Sequence, residues 1–133
     1  MGWSLASAIA LWLLWMTLRP QAIVSRDLTP ITQPAAQHGL SIHWLINIGG
    51  NVAVFMPLGA AIALTQSGRP ARARVLWGAA SGTILSALIE GLQVLLPTRV
   101  SSLGDWALNT LGALLGALLI MLVMNKGGKD ATD

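Results

Sequence analysis

Two apolar runs, Val75 to Leu96 and Leu103 to Met124, are each 22 residues long and are separated by six residues. At 1.5 Å per residue each makes about 33 Å of helix, enough to cross a hydrocarbon core of about 30 Å. Lipid offers no partners for backbone N–H and C=O groups, so such runs must close their hydrogen bonds internally as helices. A connection this short makes the two an antiparallel pair. Two more apolar runs, Trp3 to Leu18 and Trp44 to Leu64, precede them. The expected fold is therefore all-α: a polytopic membrane protein, a single-domain four-transmembrane-helix bundle over residues 1–133, with a loop at 19–43 and a basic loop at 65–74.

The composition points the same way. Hydrophobic residues make up 54% of the chain and the mean hydropathy is +0.67, too apolar for an ordinary soluble domain. The pI of about 10.7 does not indicate nucleic acid as a partner, because the net charge is only +3 and the basic residues sit at the ends of apolar runs. Trp3, Trp44 and Trp106 also lie near segment ends, where an interfacial aromatic belt would place them. With no cysteine, disulfides, thiolate metal sites and a cysteine nucleophile are excluded.

The first run has 16 residues, about 24 Å of helix, and spans only if Arg19 snorkels and the bilayer thins locally. A cleaved signal peptide is the rival reading. It is disfavoured because no Lys or Arg precedes Trp3 and no A-x-A site follows the run. The segment from Arg19 to His43 is broken by Pro20, Pro30 and Pro34 and reads as a loop, with a short interfacial helix near Ala35 to His38. His38 and His43, five apart, do not converge with other ligands, so neither a metal nor a cofactor is expected.

Arg69, Arg72 and Arg74 fall within six residues between the second and third runs. Such a loop marks the cytoplasmic side, which puts both termini in the cytoplasm. Basic residues then number five inside (Arg69, Arg72, Arg74, Lys126, Lys129) and three outside (Arg19, Arg26, Arg99). This orientation places Asn51, Glu90 and Asn109 at one depth, about 10 Å below the outer surface.

Charge is scarce, at 10% of residues, and an ionisable group within a span is expensive and by default functional. Glu90 is the foremost such group. On the second run Asn47 and Asn51 share a helical face, Gly49 and Gly50 would admit another backbone, and Pro57 would kink the helix. On the third run Gly78, Gly82, Ser86, Glu90 and Gln93 form a small-and-polar stripe. On the fourth, Asp105, Asn109, Gly112 and Gly116 do the same, and the Gly112/Gly116 step is a candidate contact between copies in a homo-oligomer. The candidate ligand-binding residues are Asn47, Asn51, Glu90, Gln93, Arg99, Asp105 and Asn109, with Glu90 and Asp105 the candidates for acid and base work.

At these positions the chain resembles the VanZ-like family of small bacterial membrane proteins. The resemblance rests on Asn47, Asn51, Phe55, Pro57 and Gly59 as N-x3-N-x3-F-x-P-x-G, then Glu90 and Gln93 as E-x2-Q, then Arg99. It continues with Asp105, Asn109, Gly112 and Gly116 as D-x3-N-x2-G-x3-G. Many relatives carry an acidic residue three positions after the Arg, where this chain has Ser102. The resemblance implies a cell-envelope location in the bacterial cytoplasmic membrane and a link to glycopeptide (teicoplanin) resistance.

Two functions fit. In one, an outer-leaflet polar pocket binds a cell-envelope amphiphile, such as a lipid-linked cell-wall intermediate or a lipoglycopeptide, with Arg99 on an anionic head group. In the other, the chain is an intramembrane hydrolase or transferase acting on a lipid-linked substrate, with Glu90 as general base. A ligand-free helix-packing accessory subunit is the bland alternative. Membrane lipids are partners in every case.

Overall fold

The computed structural model describes residues 2–19, 42–96 and 102–129, and at 42–47 and 126–129 only the backbone is described. Four helices make up the described residues: α1 (Gly2–Thr17), α2 (Ile42–Thr65), α3 (Ala71–Val94) and α4 (Leu103–Lys129). The expected interfacial helix near Ala35 to His38, the side chains of His38, His43 and Asn47, and the whole of Arg99 lie outside the described residues.

Stretches within α2, α3 and α4 are long and apolar enough to cross a membrane, whereas α1 is a shorter apolar helix. The helix ends follow from local chemistry. Thr65 Oγ1 donates back to the Ile62 carbonyl as α2 closes. Pro70, extended at φ −59° and ψ 148°, then occupies the N-cap of α3, and its carbonyl accepts from the N–H groups of Ala73 and Arg74. Starting at Ala71, α3 takes Arg72 and Arg74 out of the loop and into its first turn. It ends in a tight turn, in which the N–H groups of Leu95 and Leu96 donate to the carbonyls of Leu92 and Gln93. α2 runs through Pro57 as a single element.

Packing centres on α2, which meets each of the other helices. α1 rests on α2, barely touches α3 and does not reach α4. The tightest contacts are built on glycine. A Cβ at Gly59 would run into the Ala113 backbone, one at Gly112 into Val52 and one at Gly116 into Met56. At Gly78 it would stand 2.6 Å from the Ala117 Cβ and 2.9 Å from the Gly59 carbonyl oxygen, so α2, α3 and α4 converge at this point. The Gly112/Gly116 step is thus occupied within the chain by α2. Gly49 and Gly50, expected to admit a backbone, have no described atom within 4 Å of where a Cβ would stand, because α4 approaches α2 further along, at Val52, Met56 and Gly59. Leu13, Phe55, Leu58, Ile89 and Ala113 form the dry centre.

Contacts along the helices define two ends. At one end lie Gly2, Thr65, the arginine turn and Met124; at the other lie Thr17, Asn51, Gln93 and the start of α4.

Candidate functional site

The end opposite the arginine turn carries a polar layer, and its organising element is the first turn of α4. Ser102 is the N-cap: its Oγ accepts the Asp105 N–H at 3.3 Å and its carbonyl accepts the Trp106 N–H at 3.1 Å. Ser102-x-x-Asp105 has the spacing of a capping box, in which the acidic residue would normally reach back to the N-cap N–H. Here that N–H donates instead to Glu90 Oε2 of α3, at 2.7 Å. Asp105 is thereby released toward α2, where its Oδ1 accepts from Asn51 Nδ2 at 3.0 Å. Both carboxylates thus gather at the start of α4, the helix end whose first N–H groups have no intrahelical acceptors.

One turn deeper, Asn109 Nδ2 donates to Ser86 Oγ at 2.9 Å. Asn109 is 4% exposed and Ser86 fully buried. The other end of the same amide, Asn109 Oδ1, is buried with no hydrogen-bond partner among the described residues. A buried acceptor left unmet costs about 1–3 kcal/mol, so this atom is a standing demand for a donor.

Gln93, also buried, faces elsewhere. Its Nε2 donates to the Thr17 carbonyl at 3.1 Å, satisfying one of the acceptors that the last turn of α1 leaves without an intrahelical donor. The same end of α1 carries Arg19, whose guanidinium lies over the Trp15 ring at 4.8 Å. Trp106 Nε1 donates to the Thr83 carbonyl at 3.2 Å and adds a third polar tie between α4 and α3.

Of the residues expected from the sequence, Asn51 and Asp105 meet directly, Glu90 meets the start of α4, and Asn109 meets Ser86. Gln93 serves the α1 contact. Asn47 lies on α2, and its side chain is outside the described residues, as is Arg99. Among the described residues no group of three His, Cys, Asp or Glu side chains converges as metal ligands would.

Sequence reasoning missed two roles. Ser102 organises both carboxylates, and the S-x-x-D spacing before an apolar run was a signal for it. Arg74, treated as a topology mark, is buried: its Nε donates to the Ala63 carbonyl near the C-terminus of α2 at 2.8 Å, and its Nη2 lies 3.3 Å from Met124 Sδ. A cation there meets both an orphan carbonyl and the negative end of the helix dipole.

Four packed apolar helices, three of them long enough to span, with polar groups gathered at one end, define a small helical membrane protein. The VanZ/LLP1 family model matches residues 4–124, nearly the whole chain, and the protein belongs to that family. No curated protein and no solved structure gives a significant match.

Proposed function

We propose that the polar layer binds the head region of a cell-envelope amphiphile, entering from the outer leaflet of the bacterial cytoplasmic membrane. The observation that carries this reading is the unmet Asn109 Oδ1, buried beside Ser86 and a turn below the Asn51–Asp105 pair. A hydroxyl or amide N–H on the ligand supplies the missing donor, as a saccharide or peptide head would. Arg99, in the connection between α3 and α4, supplies positive charge for an anionic head group. In this orientation the arginine turn and both termini are cytoplasmic.

Glu90 and Asp105 each accept from a donor within the chain, which supports a positioning role over general-base chemistry. A lipid-linked cell-wall intermediate is the ligand class that joins this site to the family's glycopeptide (teicoplanin) association. The test compares lipids copurifying with wild type and with Glu90→Gln at matched membrane levels. A glutamine Oε1 can still accept the Ser102 N–H, so that bond is available while the acid function is lost. An envelope lipid retained by wild type and depleted in the variant supports the reading. Equal lipid profiles from two equally folded proteins refute a part for the Glu90 carboxyl group in binding.

A further inference from the structure

A second surface lies toward the arginine turn. Because α1 rests on α2 and hardly meets α3, a lateral cleft of about 190 Å³ opens between α1 and α3, lined by Trp3, Ala6, Ala10, Leu58, Ser81 and Leu85 among others. Its polar groups contribute little: Ser81 Oγ turns back onto the Trp77 carbonyl at 2.6 Å, so the α3 wall presents mostly hydrocarbon. Trp77, Ser81 and Leu85, each four residues on, continue that wall toward the arginine turn. There Trp77, about half exposed, carries the Arg69 guanidinium 5.5 Å from its ring centre. The carboxylates among the described residues, Glu90 and Asp105, are both at the opposite end of the bundle.

A cation above a hydrocarbon groove that opens sideways matches an amphiphile with an anionic head above an acyl chain. We infer that the α1/α3 cleft is a site for one anionic phospholipid, its phosphate on Arg69 at the edge of Trp77 and one acyl chain along Ala6, Ala10, Ser81 and Leu85. Arg74 is committed to Ala63 and Met124 and takes no part. Arg72 lies about 140° around α3 from Trp77 and contributes only to the general potential. The lipid also fills the space that α1 leaves open against α3.

The test is native mass spectrometry of the full chain released from nanodiscs containing equal phosphatidylglycerol and phosphatidylcholine. Wild type is expected to retain one phosphatidylglycerol in preference to phosphatidylcholine. Arg69→Gln should reduce that preference about ten-fold or more, as loss of a charge-assisted contact does, whereas Arg72→Gln should cost no more than about five-fold, its share of the general surface potential. Filling the cleft with Ser81→Leu or Ala10→Leu, whichever keeps wild-type helicity and unfolding temperature, should abolish retention of the lipid. Equal retention of both lipids by wild type overturns the inference. So does an Arg72→Gln effect as large as that of Arg69→Gln, which would indicate undirected surface attraction, or retention that survives a filled cleft. A dimer lost on filling the cleft, with no lipid preference in wild type, would assign the cleft to a second copy and overturn it equally.

Discussion

Replacing Ser86 by alanine removes the acceptor of Asn109 Nδ2, and because Oδ1 already lacks a partner, the whole buried amide is then unsatisfied. The lost interhelical bond is worth about 0.6 kcal/mol on average within a membrane and at most about 1.7. The stranded donor adds its own desolvation cost, so the single variant should lose about 1–3 kcal/mol. Asn109→Leu has the same branching and heavy-atom count; combined with Ser86→Ala it removes the stranded donor, the unmet oxygen and the hydroxyl together. Exchanging both partners for apolar groups of similar shape can be neutral or stabilising. The double variant should therefore be at least as stable as wild type, apart from a small void at Ser86, while losing the copurifying ligand. Reversible unfolding in micelles, followed by tryptophan fluorescence, gives the four corners of the cycle. If the double variant loses as much as the two single variants added together, Ser86 and Asn109 are not coupled and the unmet oxygen carries no cost.

Gly59→Ala should cost about 1–3 kcal/mol, since its Cβ meets the Ala113 backbone, which cannot yield as a flexible side chain would; Gly49→Ala, facing no described atom, should be neutral or stabilising in the same unfolding assay. Arg74→Met should lose about 1.5 kcal/mol or more, from a charge-assisted bond to the Ala63 carbonyl and a cation at the α2 C-terminus; a change within error would show that the desolvation of this arginine cancels both gains. Gln93→Leu should loosen the last turn of α1, at about 0.6 kcal/mol, and speed amide exchange there while leaving exchange in α2 and α4 unchanged; protection of α1 equal to wild type would refute its role as the tie.

Helices α2, α3 and α4 were legible because their apolar runs are long enough to cross a hydrocarbon core of about 30 Å. The three packing stripes were legible because four-residue spacing keeps side chains on one face. Phe55 and Gly59 of the N-x3-N-x3-F-x-P-x-G pattern fall one and two such steps beyond Asn51. The first enters the core and the second is a point of close approach to α4. What spacing could not supply was pairing. Asn51 and Asn109 were placed at one depth, yet Asn51 reaches Asp105 and Asn109 reaches Ser86, because those choices depend on which helices are neighbours and how they are rotated. Nor does sequence distinguish a glycine that admits a backbone, such as Gly116, from one with no described atom against it, such as Gly50.

The start of α4 shows how a hydrogen-bonding rule, redistributed between helices, arranges the polar layer. A capping box within one helix would satisfy the Ser102 N–H with Asp105 and leave Glu90 without that donor. Handing the N–H to Glu90 ties α3 to α4 at the helix end where N–H groups most need acceptors, and frees Asp105 to tie α4 to α2 through Asn51. Three helices are thus fixed to one another by two carboxylates and one serine. Ser102 suits the position for a physical reason: as the N-cap of α4 its hydroxyl accepts the Asp105 N–H, one of the donors that the first turn leaves without an intrahelical acceptor. The serine at this position therefore matches a site whose two carboxylates act as braces for a polar layer, with the unmet oxygen of Asn109 one turn below them.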